Sequence, residues 1–143
     1  MNFDKIAVLA PVYNEADHLA AFLERLKHQG YPILVVDDGS SDRSAQIARA
    51  KNVDLIVFSG NQGKGNALRA GFRQLLAKGM EWIIIMDSDG QHLAEEIPIF
   101  IAKAREGGYG IINGNRLWRP LGMPGLRLFV NHLMSGIVSL LAG

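Results

Sequence analysis

The chain has 143 residues, 48% of them hydrophobic and 20% charged, the balance of a globular domain with a sizeable core and not of a disordered segment. Its 15 basic and 14 acidic residues leave a formal net charge of +1, which gives no electrostatic case for nucleic acid as a partner. The absence of cysteine excludes disulfides, thiolate catalysis and cysteine-based zinc sites.

Along the chain, short apolar runs alternate with longer amphipathic ones. The runs KIAVLA (5–10), PILVVD (32–37), DLIVFS (54–59), WIIIMD (82–87) and YGIING (109–114) predict strands, because β-branched runs without polar interruption suit a parallel sheet covered on both faces. Between them, Leu19, Phe22, Leu23 and Leu26 mark a first helix that stops near Gly30. Ser41 or Asp42 can cap a second helix running to about Lys51. A third runs from Ala67 to Lys78, with Leu68, Phe72, Leu75 and Leu76 on one side. A fourth spans Glu95 to Glu106. The expectation is an α/β fold in one domain over 1–143, with a doubly wound, mostly parallel sheet and right-handed crossovers. Beyond Arg116 the regularity fades into a loop and then an amphipathic helix from Leu126.

The N-terminus has no basic start leading into a long apolar run, and the near-apolar stretch 126–142 carries Arg127, Asn131 and His132. The expected location is cytoplasmic, at most peripheral at the inner face of a membrane. An exposed tail helix could also support a homo-oligomer.

Ligands of doubly wound sheets bind outside the carboxyl ends of the strands. The polar clusters fall there: PVYNE, DDGSSD, GNQGKGN, DSDGQH and GNR each follow one predicted strand. Asp87 and Asp89, two apart after an apolar strand, put two carboxylates on one side of an extended segment, and Gln91 adds a third oxygen donor. Hard divalent cations such as Mg2+ or Mn2+ take such donors and bridge them to phosphates. The bland alternative for this segment is a solvated turn. Asp38 can accept from a ribose hydroxyl or a base N–H, whereas Ser41 and Asp42 are assigned to helix capping. Tyr13 offers a flat face to a base and Glu15 an acceptor, or else a favourable charge in the first turn of a helix. Lys64, between two glycines at a helix start, suits a diphosphate, although the spacing is not that of a Walker motif. Arg116 can pair with a phosphate. His18, His28 and His132 are unclustered and read as surface residues, and His92 as a solvated loop residue.

Taken in order, Pro11-x-Tyr13-Asn14-Glu15, Asp37-Asp38-Gly39-Ser40-x-Asp42, Asn61-x-Gly63-Lys64-Gly65, Asp87-x-Asp89-Gly90-Gln91-His92 and Gly114-x-Arg116 resemble the family 2 glycosyltransferases, most closely the polyprenol-phosphate, dolichol-phosphate mannose synthase-like branch. The resemblance covers roughly 5–116. It implies a GT-A fold, an NDP-sugar donor (GDP- or UDP-sugar), a divalent metal and an acceptor such as a polyprenol phosphate or other lipid. Pro11, Tyr13, Glu15, Val36 and Asp38 would hold the nucleoside, and Met86 and Asp87 would line the nucleotide pocket. Asp87, Asp89 and Gln91 would hold the metal (a DxD motif), and Arg116 would meet the donor phosphates. The implied chemistry is direct displacement at the anomeric carbon with inversion, and an anionic lipid phosphate would need no protein base. Family members usually continue into an acceptor-side segment, which 117–143 does not contain, so the expectation is a chain that keeps the donor half. The competing readings are a haloacid dehalogenase-type phosphatase using the DxD as nucleophile, a phospho-acceptor receiver domain, and a nucleotide-sugar-binding fragment without catalysis.

Overall fold

The computed structural model of the chain describes residues 5–89 and 93–114. Four strands, β1 (Ile6–Val12), β2 (Ile33–Asp37), β3 (Asp54–Val57) and β4 (Trp82–Ile85), form one sheet in the order β3-β2-β1-β4. All three pairings are parallel, with Val12 opposite Asp37, Asp37 opposite Val57 and Ile6 opposite Trp82. The helices are α1 (Ala16–His28), α2 (Ser44–Ala50), α3 (Lys64–Ala77) and α4 (Ile97–Arg105), the last preceded by a 3-10 turn at Ala94–Glu96. The expected α/β sheet is therefore present.

Side chains alternate between the two faces of a strand, and the packing follows that rule. Ala7 and Leu9 of β1 join Leu34 and Val36 of β2 in a core closed by Ala67 and Leu75 of α3. Ile6, Val8 and Ala10 point the other way and are equally buried. Leu19, Phe22, Leu23 and Leu26 of α1, all buried, recur at helical spacing and give that helix its apolar face. At Gly71 the α3 helix approaches β1 closely: an added Cβ would lie 2.8 Å from Leu9 Cδ2, and nearer still to Cδ1. Gly71→Ala forces the fully buried Leu9 to repack, a cost of about 1–3 kcal/mol, against about 1 kcal/mol regained in helix propensity. The expected outcome is a net loss of about 1 kcal/mol in urea unfolding, with the cleft chemistry unchanged.

Several sequence boundaries shift. The second helix begins at Ser44, and Asp42 lies two residues before it. The third begins at Lys64, three residues ahead of expectation. The run 109–114 is not a strand: Gly107 and Gly108 turn the chain with positive φ. Ile111 is 86% exposed. An apolar run forms a strand only where a neighbouring edge supplies hydrogen bonds and cover, and none of the four described strands pairs with it.

Contacts divide the chain into two units, 1–99 and 100–143. The first holds the sheet, α1 to α3 and the clusters described below. In the second, Gly114 packs on Phe100, and Lys103 reaches both Glu106 and the Tyr109 ring. The tail helix expected from Leu126 lies outside the described residues. No described helix is long and apolar enough to cross a membrane.

Candidate donor-binding site

The chain walks from β1 to β2 to β3 in one direction, then returns to the other side of β1 to lay down β4. That reversal opens a crevice at the carboxyl ends of β1 and β4, the place where such sheets bind ligands. A cleft of about 310 Å³ lies there, lined by Pro11, Tyr13 and Glu15 after β1, Asp38 after β2, Gly63 and Lys64 before and on α3, and Asp87 and Asp89 after β4. Four of the five predicted clusters thus converge on it. A larger hollow of about 490 Å³ sits at the opposite ends of β2 and β3, against Tyr31, Pro32 and Asn52. It lacks the paired carboxylates, so chemistry rather than size selects the first.

Two turns build the cleft floor. Asp37 is 1% exposed, and its Oδ1 accepts the Ser40 amide at 2.7 Å. Its Oδ2 is buried without a hydrogen-bond partner among the described residues. Asp38, 3% exposed, accepts the Gln62 amide at 2.7 Å on Oδ1 and the Gly63 amide at 2.8 Å on Oδ2. Its carboxylate therefore clamps the loop after β3 to the end of β2. Gly39, with φ +72°, lets the two loops touch: an added Cβ would stand 2.5 Å from Gly60 Cα.

The start of α1 is stitched to the same turn. The first amide of the helix needs an external acceptor, and it and the two amides ahead of it find theirs across the chain. Asn14 N donates to Ser40 Oγ (2.9 Å), Glu15 N to Ser44 Oγ (2.9 Å) and Ala16 N to Asp42 Oδ2 (3.0 Å). Asp42 Oδ1 meanwhile accepts the Ser44 amide at 2.8 Å, so one carboxylate satisfies the first amide of both helices, although the N-cap position of α2 belongs to Arg43 and not to Asp42. Burial pushes the Asp42 carboxyl up, but hydrogen bonds from Ser44 and from the Ala16 amide outweigh it and hold the group below its ordinary value. Ser41 is different from expectation. It donates its amide to Asn14 Oδ1 at 2.9 Å and caps no helix, because Asn14, with φ 55°, aims its amide side chain at that turn. Sequence reading missed Asn14, Ser40 and Ser44 as a unit; the spacing of small polar residues in both clusters was the available signal.

Against the floor stand the charged groups. Lys64 Nζ lies 2.7 Å from both Asp87 Oδ1 and Asp87 Oδ2, joining the start of α3 to the segment after β4. Ser88 is buried between the two aspartates, while Asp89 is exposed. Tyr13, 46% exposed, also lines the cleft. Val36 and Met86 are not among the lining residues: Val36 is fully buried in the core under α3 and Met86 is 5% exposed. Gln91, His92 and Arg116 lie outside the described residues. Among the described residues no three His, Asp, Glu or Cys side chains group as a metal site. Two carboxylates on one wall, one already holding a cationic side chain, still fit Mg2+ or Mn2+, which take one or two protein carboxylates and complete their shell from phosphates and water.

Residues 7–128 match the profile described as glycosyl transferase family 2. The chain belongs to that family. It is 32% identical over 148 aligned positions to an uncharacterised protein of Methanocaldococcus jannaschii, covering 95% of this chain and 60% of that protein. It is 38% identical to the undecaprenyl-phosphate 4-deoxy-4-formamido-L-arabinose transferase of Proteus mirabilis, covering 79% of this chain and 37% of the transferase. The family 2 chain thus spans less than two thirds of either relative. Among solved structures, glucosyl-3-phosphoglycerate synthase of Mycobacterium tuberculosis, in complex with Mn2+, UDP and glucosyl-3-phosphoglycerate, superposes with a TM-score of 0.61 at 22% identity, over 73% of this chain and 40% of that one. TarS of S. aureus in complex with UDP gives 0.57 at 23%, over 76% and 38%. These likenesses establish the fold as that of GT-A glycosyltransferases, as the sequence resemblance implied.

Proposed function

We propose that this family 2 chain forms the donor-binding part of a metal-dependent glycosyltransferase, moving a sugar from a UDP- or GDP-sugar to an acceptor with inversion, the acceptor being a polyprenol phosphate or another lipid at a membrane surface. One observation carries the reading. At the switch point of the sheet, the acidic segment after β4 faces the glycine-flanked Lys64 across a single cleft, and the two already share an ion pair. The named activity of the Proteus mirabilis relative supports a lipid-phosphate acceptor. The Mn2+ and UDP of the mycobacterial synthase complex support the donor and the metal.

Tyr13 stacks on the base, with Pro11 and Glu15 beside it at the end of β1. Asp38 serves the donor first by holding the loop at Gln62 and Gly63; the second lone pair on each of its oxygens remains for the nucleoside. The Gly63–Lys64 helix start meets the diphosphate with backbone N–H groups and one ammonium, and Arg116 is assigned to the same phosphates. Asp87 and Asp89, with Gln91, hold Mg2+ or Mn2+, which supplies positive charge to the departing nucleoside diphosphate. An ionised lipid phosphate is already nucleophilic, so this reading asks no proton transfer of the described residues.

Asp89→Asn tests the assignment. It keeps the size of an exposed side chain and removes one anionic donor. Calorimetric titration with UDP- and GDP-sugars is expected to show manganese-dependent binding to the wild type and at least about tenfold weaker binding to the variant. Equal affinity for both proteins would remove Asp89 from the metal site.

A further inference from the structure

Lys64 is the only cationic residue among the described residues lining a cleft that also presents Glu15, Asp38, Asp87 and Asp89. Its ammonium is equidistant, at 2.7 Å, from both oxygens of Asp87. The pair is open to water, with the side chains 57% and 29% exposed. Exposed ion pairs of this kind are weak and exchange readily. A diphosphate arriving alone would meet four carboxylates and one ammonium, so its own charge opposes entry. A divalent cation on Asp87 and Asp89 reverses that balance, and it also competes for the oxygens that the ammonium occupies. Two cations cannot share those oxygens at close range without strong repulsion. Lys64 stands at the first residue of α3, beside the amides proposed for the diphosphate, so the displaced ammonium finds a new anion within reach of its flexible stem.

We propose that Lys64 is a resident counter-cation: it neutralises Asp87 while the cleft is without donor, and a divalent cation arriving with the diphosphate drives it from the carboxylate onto the phosphates. The inference rests on the donor-site reading above and adds an order to it, in which metal and diphosphate enter together. It also fixes a reversal of sign. Lys64 opposes binding of the metal alone and favours binding of the metal with a nucleoside diphosphate. A residue that only supports the loop would favour both.

The test uses the 143-residue chain as wild type, Lys64→Met and Lys64→Arg. Methionine keeps the unbranched stem and removes the charge; arginine keeps the charge. Free Mn2+ is followed by electron paramagnetic resonance without nucleotide, and UDP and GDP are titrated calorimetrically at saturating Mn2+. Expected for Lys64→Met are about threefold tighter binding of Mn2+ alone and at least about tenfold weaker binding of the nucleotide that the wild type prefers. Lys64→Arg should stay near the wild type in the first measurement. Weaker or unchanged Mn2+ binding by Lys64→Met, with wild-type nucleotide binding intact, would overturn the exchange and leave the donor site standing. Failure of the wild type to bind either nucleotide with Mn2+ would remove the donor-site reading and the exchange with it.

Discussion

Gly39→Ala is expected to be the most damaging single-methyl substitution in the sheet unit. Gly39 has φ +72°, and its missing Cβ would fall 2.5 Å from Gly60 Cα and 2.8 Å from Asn61 N. Both obstacles are backbone, so no rotamer change relieves them. The left-handed conformation alone costs an L-residue about 1–2 kcal/mol, and forcing the loops apart adds about 1–3 kcal/mol of overpacking. A loss of about 2–5 kcal/mol follows, or about 6–15 °C in melting temperature at roughly 3 °C per kcal/mol for a chain of this size. Calorimetric melting beside Gly71→Ala checks the ranking. There the obstacle is the flexible end of the Leu9 side chain, and the penalty should be clearly smaller. Comparable melting temperatures would mean that the turns after β2 and β3 do not touch as described.

Asp38→Ala is expected to strike donor binding hardest for its size. The carboxylate accepts two loop amides, Gln62 N at 2.7 Å and Gly63 N at 2.8 Å. Bonds to a charged acceptor contribute about 1.5–3 kcal/mol each, part of which water recovers when the acceptor is deleted at a partly open loop. The loop that carries Lys64 then loses its tether to β2. Because the clamp acts through the diphosphate segment, inorganic pyrophosphate with Mn2+ should weaken by at least about tenfold, and UDP or GDP by more, since they also lose the acceptor offered to the nucleoside. Asp38→Asn should fall between, since it keeps one acceptor oxygen and turns an NH2 toward the other amide. If pyrophosphate binding were untouched while nucleotide binding collapsed, Asp38 would be acting on the nucleoside directly and the clamp would be incidental.

How far the sequence could be read depended on the range of the interactions. Strand runs such as Ile6–Val12 and Ile33–Asp37 are legible because both faces of a central parallel strand are buried, leaving an unbroken apolar signature. The convergence of Tyr13, Asp38, Lys64, Asp87 and Asp89 follows from topology alone, once each cluster is placed after its strand. What Asp38 holds was not legible, since its partners are backbone amides 24 and 25 residues away, which no side-chain pattern marks. The same applies to Ser40 and Ser44, which accept the amides of Asn14 and Glu15 just ahead of α1 rather than those of the helix they precede or begin. Val36 and Met86, assigned to the nucleotide by resemblance, are buried and are not among the residues lining the cleft. The misjudged strand at 109–114 is the converse case: apolar content was present, but Gly110 and Gly114 and the lack of a neighbouring edge among the described strands left it irregular.

The most direct measurement is a pair of proton–nitrogen correlation spectra of the labelled chain with UDP or GDP, one with diamagnetic Mg2+ and one with paramagnetic Mn2+. Manganese held between the segment after β4 and the start of α3 should broaden the amides of residues 13–15, 38, 61–64 and 87–89. The amides of residues 30–33 and 52–54, at the far ends of the strands, should stay sharp. Broadening centred on those far residues, or none at saturating nucleotide and metal, would contradict the placement of the donor site at the switch point.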